Sequence, residues 1–160
     1  MIRHAKADDY KVIIATLDEW WGGRRMAPML PRLFVVHFCP TSFVAEQDGL
    51  VIGFVIGFVS QSDPDEGYIH FVGVHPNFRR AGLGQQLYER VFEAMIRNGC
   101  RVVRCVTSPV NKGSIAFHLH LGFKPEISEK VVERVSVFED YDGPREDRVL
   151  FSKILSGPGN

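Results

Sequence analysis

The sequence lacks any excess of charge of one sign. Its 19 Lys and Arg stand against 19 Asp and Glu, so neither nucleic acid nor an anionic membrane is expected as a main partner. Any anion it binds must be held by a local arrangement. Cysteine is scarce: Cys39, Cys100 and Cys105 are odd in number, flanked by apolar strand-like residues, at spacings that match no zinc or redox motif. They read as reduced core thiols. No run approaches the roughly 18 apolar residues of a membrane span. The opening "MIRHAKADDY" has no apolar segment after its basic residues, unlike a secretory leader. The expectation is a cytoplasmic protein. Neither an internal repeat nor a linker interrupts the chain.

What is present is enough apolar residue for one core: 45% of 160 residues, above the range of disordered chains. A single domain over 1–155 is expected, with "SGPGN" (156–160) as a disordered tail. Along the chain, "IRHA" reads as a short strand. Asp8 or Asp9 offers an N-cap for a helix through about Trp20, ended by Gly22 and Gly23. A second helix is expected over 28–37, with Pro31 tolerated near its start. "TSFVAEQ", Asp48-Gly49 and "LVIGFVIGFVSQ" read as a hairpin closed by a type I′ turn, which Asp-Gly favours. "EGYIHFVGVHP" is the next strand of an antiparallel meander.

The period then changes. Leu83, Leu87, Val91 and Met95 recur every four residues up to Asn98-Gly99, which predicts the strongest helix of the chain. "RVVRCVT" is a buried strand, "NKGSIAFHLHLGF" a helix closed by Gly122, and "DRVLFSKIL" a last strand. A strand, helix, strand crossover over 66–107 implies one parallel pair inside an otherwise antiparallel sheet, hence a mixed α/β fold.

The turn "HPNFRRAGLGQQL", 75–87, carries the chemistry. It is not a dinucleotide-binding turn, because Leu87 stands where the third glycine belongs, and it lacks the Gly-Lys-Ser/Thr of a P-loop. It keeps the physics those loops share. A strand feeds a glycine turn at a helix N-terminus, where backbone N–H groups and the positive end of the helix dipole face an anion. Arg79 and Arg80 add charge-assisted donors, each worth about 1.5–3 kcal/mol where water is partly excluded. The result is a site of pyrophosphate size.

The order R-x-x-G-x-G after a strand ending Val74-His75-Pro76 resembles the acyl-CoA signature of the GNAT superfamily of N-acetyltransferases. "NKGSIAFHLHLGF" resembles that family's second signature: Asn, a Ser or Ala three residues on, an aromatic or His after seven, then Gly-Phe. The match in order, spacing and intervening elements covers roughly residues 2–125. The resemblance implies a GNAT-like sheet whose one parallel pair is splayed, about four flanking helices, and acetyl-CoA as cosubstrate; His4 and His37 have no readable partner and His75 begins the turn, so no metal is expected. It implies that Arg79, Arg80, Ala81, Gly82, Leu83, Gly84 and Gln85 hold the pyrophosphate, and that Val72, Gly73 and Val74 line the pantetheine arm as an added strand would. A backbone N–H of that strip would polarise the thioester. Asn111 would meet the pantetheine arm, besides capping its helix, with Ser114 close to its face.

The chemistry so implied is direct attack of an amine on acetyl-CoA. An alkylammonium of pKa ~10.4 costs roughly 4 kcal/mol to deprotonate near neutrality, whereas a leaving thiolate of pKa ~8.5 needs only about 2 kcal/mol of acid assistance. The base is the larger need. Plain alternation puts Tyr68, His70, Val72 and Val74 on one face, and His70, with an ordinary pKa of ~6.5, suits proton removal. Family members often carry Glu or His in this strand, and the arylalkylamine acetyltransferases have histidines at the positions of Tyr68 and His70. Glu66, upstream on the same face, is the reserve base through water. His118 stands where the family usually carries a tyrosine acid. It acts as the acid, lines the acetyl pocket, or leaves the role to Tyr88 or Tyr141.

The acceptor is the less legible half. "EWWGGRRMAPMLPRLF", 19–34, lies where the family builds its acceptor wall, with Trp20, Trp21 and Arg24 or Arg25 as candidate contacts beside Tyr68. "VFEDYDGPREDRVLF", 137–151, is a second variable region, whose Glu139, Asp140 and Asp142 would favour a cationic amine. A small-molecule amine is the first expectation; a protein or peptide amine, or a catalytically weak acyl-CoA-binding module, are the alternatives. The oligomeric state stays open, a homodimer being common in the family.

Overall fold

A computed structural model describes residues 1–156. The expected tail therefore lies, from residue 157 on, outside the described residues. The elements run β1 (Ile2–His4), α1 (Asp9–Trp20), α2 (Leu33–His37), β2 (Phe43–Gln47), β3 (Leu50–Val59), β4 (Glu66–Val74), α3 (Leu83–Arg97), β5 (Val102–Thr107), α4 (Lys112–His120), β6 (Lys124–Pro125), β7 (Lys130–Val132), β8 (Val135–Val137) and β9 (Val149–Ile154). Seven strands form one sheet in the order β1-β2-β3-β4-β5-β9-β6, and β7 with β8 forms a separate hairpin. Among the described residues only β4 and β5 pair in parallel. The mixed fold with one parallel pair forms as the crossover requires.

Two apolar clusters sandwich the sheet. Leu87, Val91 and Met95 of α3 are fully buried against Phe43, Val55 and Val103. On the other face Ile13, Leu17 and Trp20 of α1 pack with Val44, Phe54, Ile56 and Phe71. Each fully buried apolar side chain contributes about 1.5–3 kcal/mol relative to exposure, so the every-fourth-residue stripe of α3 fixes that helix on the sheet. The β2–β3 turn is of type I′, Asp48 and Gly49 both having positive φ (52° and 79°).

Three expectations need correction. The helix expected over 28–37 is instead a 3₁₀ turn, Ala27–Met29, followed by the short α2. Pro31 disfavours helical backbone at Leu30, and Leu30 has ψ 71°. Neither Asp8 nor Asp9 caps α1 through its side chain. Asp9 instead accepts the Lys6 N–H at 2.8 Å and pairs with Arg3 at 2.8 Å. Strands β6, β7 and β8 are too short to show a period and were not expected.

The parallel pairing fixes where the site lies. Residues 66–68 pair with 102–104, and then the register ends, although β4 continues to Val74 and β5 to Thr107. The two strands part, and a cavity opens between them.

Candidate active site

A β-bulge aims the central residue of this cavity. Ile56 pairs with Phe71 and Gly57 with Ile69, so His70 is the extra residue of β4. Plain alternation is thereby broken. His70 stacks on Phe34 of α2 (centroids 4.1 Å apart, 8° between planes) and Phe71 meets Trp21 beyond α1 (5.1 Å). Ile69, Val72 and Val74 face the α3 cluster. His70 and Val72 thus lie on opposite faces, contrary to the alternation reading. Both still line the cavity of about 420 Å³, because it opens at the parted edge that the two faces share.

The His70 tautomer follows from its partner. Nε2 lies 2.7 Å from the Met29 carbonyl, which can only accept, so Nε2 carries the hydrogen and Nδ1 holds the lone pair of the neutral ring. Burial pushes its pKa below the ordinary value, against the opposing pull of the Met29 carbonyl and of Asp142. His70 is accordingly an unprotonated base at neutral pH. Glu66 does not line this cavity. It faces a neighbouring hollow of about 260 Å³ and is held by Arg104 (2.8 Å), which also binds Glu126.

At the other end of β4 lies the glycine turn. Gly82 has φ 74°, the left-handed region, immediately before α3. Gln86 is the first residue whose N–H bonds back, to the Gly82 carbonyl at 3.1 Å. The N–H groups of 82–85 are left at the helix N-terminus. Gly84 permits a close approach, since a Cβ there would sit 3.2 Å from Phe117 of α4. Arg80 is exposed beside these donors. Arg79 does something else: Nε donates to the Val74 carbonyl at 3.1 Å and Nη2 to the Trp20 carbonyl. Its guanidinium binds backbone at the loop's base.

Helix α4 completes the wall. Asn111 caps it, Oδ1 accepting from the Ser114 N–H at 3.1 Å. His118 is buried and stacked on Phe151 (5.2 Å, 17°). Its Nδ1 donates to the Ser114 carbonyl (2.7 Å) and its Nε2 accepts from the Tyr88 hydroxyl (2.9 Å). Burial lowers the His118 pKa and raises that of Tyr88. Asn111, Ser114, His118 and Tyr88 all line the cavity.

The profile of the acetyltransferase (GNAT) family matches residues 8–123. The chain belongs to that family. It is 29% identical over 116 residues to an L-2,4-diaminobutyric acid acetyltransferase of Nocardia farcinica, covering 71% of this chain and 60% of that one. It is 35% identical over 86 residues to an uncharacterized N-acetyltransferase of Methanocaldococcus jannaschii, covering 51% of this chain and 38% of that one. The chain thus spans less than two thirds of either relative. Among solved structures, a diaminobutyrate acetyltransferase of Paenibacillus lautus, in complex with L-2,4-diaminobutyric acid and coenzyme A, superposes with a TM-score of 0.73 at 19% identity. The two cover 99% of this chain and 98% of that one, and the likeness is one of fold.

Within this GNAT fold the acceptor wall is only partly as expected. Trp20 is buried against Phe54 and His75 and does not reach the cavity. Trp21, Arg24 and Tyr68 do line it. Of the acidic trio, Asp142 lines the cavity, while Glu139 pairs outward with Lys130 at 3.6 Å. Two charged lining residues escaped sequence reading, Glu146 and Arg148. Arg148, 13% exposed, pairs with Asp142 at 2.7 Å and Glu146 at 3.0 Å. The alternating charges of "YDGPREDR" look like a solvated loop and give no sign that one arginine is drawn inward. The 19–34 and 137–151 segments, whose charges point opposite ways, close over one cavity.

Proposed function

We propose that this chain transfers the acetyl group of acetyl-CoA to a primary amine of a small molecule, by direct attack. The observation that carries the reading is the parted β4–β5 edge, with free helix N-terminal donors at one end and His70 Nδ1 at the other. The donors of 82–85, with Arg80, suit a pyrophosphate, and the strip 72–74 suits an extended pantetheine arm. His70 takes the ammonium proton, which is the costlier of the two proton transfers. The departing thiolate needs little acid, so a neutral Tyr88–His118 pair is tolerable there.

The wall supports an acceptor with charges of both signs. Arg24 brings a cation, while Asp142 and Glu146 share the single cation Arg148 and so carry a net negative charge. An amine that also bears a carboxylate complements such a wall, and the cavity is within the range of small-ligand sites. The Nocardia relative, named for a diamino acid, is consistent with this class.

The test is a panel followed by CoA release: L-2,4-diaminobutyrate, ornithine and lysine, diamines without a carboxylate, and short peptides with free N-termini. Highest kcat/KM on diamino acids supports the reading. Preference for peptides would reassign the chain to protein acetylation. CoA binding without turnover on any amine would make it a binding module.

A further inference from the structure

Helix α1 ends at Trp20 and has no basic residue in its last turn. The carbonyls of Leu17, Asp18 and Glu19 accept from the N–H groups of 21–23, which leaves the Trp20 carbonyl, at the negative end of the helix, to favour a cation. Arg79, from the loop after β4, supplies it: one guanidinium nitrogen donates to the Trp20 carbonyl and another to the Val74 carbonyl, where β4 ends. The contact is reinforced by the Trp20 indole, edge-on to His75 at 5.6 Å. The end of α1 and the base of the glycine loop are therefore one fastened unit.

The turn after Trp20 is held just as firmly. The Gly23 N–H bonds to the Asp18 carbonyl at 2.8 Å, and the Asp18 carboxylate accepts from the Met26 and Ala27 N–H groups at 2.7 and 2.8 Å. Trp21 and Arg24 reach the cavity from this turn. A rigid turn bearing two wall residues is thus tied to the donor loop through Arg79.

We propose that Arg79 is a positioning residue that couples the CoA loop to the acceptor wall, rather than a ligand of the pyrophosphate. This rests on the reading of 82–85 as the CoA pyrophosphate site. Its planar fork offers Nε and Nη2 to the two carbonyls at a fixed spacing, which the single ammonium nitrogen of a lysine does not reproduce. A phosphate drawn to 82–85 acts on a loop whose base is bolted to the wall, so donor binding is transmitted to Trp21 and Arg24.

The chain offers its own reporter, since its only two tryptophans, Trp20 and Trp21, sit at this junction. Coenzyme A is titrated into wild type, Arg79→Ala, Arg79→Lys and Arg80→Ala, by calorimetry and by tryptophan emission. In Arg79→Ala the CoA Kd should stay within about threefold of wild type while the emission change at saturation falls to less than about half. Arg79→Lys, which keeps the charge and loses the fork, should not restore the response, and it replaces the alanine variant should that not fold. With an amine found by the panel, KM for the amine should rise about tenfold and KM for acetyl-CoA stay within about threefold. The proposal is overturned if Arg79→Ala weakens CoA about tenfold or more, as expected for Arg80→Ala, with the emission change at saturation retained. Full rescue by lysine, or no change in emission or amine KM, overturns it equally. If wild type itself binds no CoA, the pyrophosphate reading fails first and takes this inference with it.

Discussion

The Tyr88 hydroxyl lies 2.9 Å from His118 Nε2, and the opposite ring nitrogen, 2.7 Å from the Ser114 carbonyl, is already a donor. Tyr88 therefore spends its one proton on the imidazole. At the position where the family usually carries a tyrosine, this chain has a histidine with both nitrogens satisfied, and the phenol arrives from α3 instead. A pair so closed can act as an acid only after gaining a proton, which burial of His118 opposes.

Tyr88→Phe should accordingly lose stability more than rate. It leaves a buried acceptor unpaired, at a cost of about 1–3 kcal/mol. Because thiolate protonation concerns only about 2 kcal/mol near neutrality, kcat should fall by no more than about thirtyfold. Urea unfolding and steady-state rates on an amine from the panel check both. A loss of about 10²–10⁴ in kcat, typical of a lost general acid, would make Tyr88 the acid.

The same burial sets a pH dependence of stability. The folded pKa of His118 is depressed, so below about 6.5 the unfolded chain binds a proton at this residue that the folded chain does not. Stability should fall as pH drops through that value, by at most about 1.4 kcal/mol per pH unit for this one group, until the folded imidazole itself titrates. His70 adds a slope of the same sign. Urea midpoints across that range check it, and His118→Gln should flatten the slope. An unchanged slope would show that another group carries it.

Helix α3 and the meander were legible because their stripes are long: Leu83, Leu87, Val91 and Met95 leave little choice of face. The crossover likewise implied the parallel pair. The placement of His70 relative to Val72 was not legible, because a bulge changes which face a residue takes without altering composition. Nothing in "YIHFVGV" marks one residue as extra. Arg79 looked like its neighbour Arg80 for a related reason. Which of two adjacent exposed arginines fastens to backbone depends on a distant carbonyl, that of Trp20. Arg148 is the same case, drawn inward by Asp142 and Glu146.

If His70 is the base, its ionisation should appear in the rate. Because burial depresses its pKa, the acid limb of kcat against pH should have its midpoint below the ordinary ~6.5. His70→Gln should lower kcat by about 10²–10⁴ and remove that limb, with CoA affinity by calorimetry nearly unchanged. An identical pH profile in the variant would exclude His70 from the proton path.

The glycine loop yields the sharpest contrast, because its two glycines are required for different reasons. A Cβ at Gly82 would touch nothing within 4 Å, yet its φ of 74° penalises any L-residue. Gly84 has ordinary backbone, but a Cβ would meet Phe117 of α4 at 3.2 Å. Gly82→Asp puts a carboxylate among the N–H groups of 82–85, where it repels a phosphate and competes for its donors. Arg80→Glu reverses an exposed charge beside them. Both should weaken CoA by more than about tenfold in calorimetry, with Arg80→Glu leaving the melting temperature nearly unchanged because its side chain is solvated. Gly84→Val should instead destabilise by about 1–3 kcal/mol, the cost of overpacking a helix contact. If Arg80→Glu and Gly82→Asp bind CoA like wild type, the anion these donors face is not the pyrophosphate, and the donor end of the site lies elsewhere on β4.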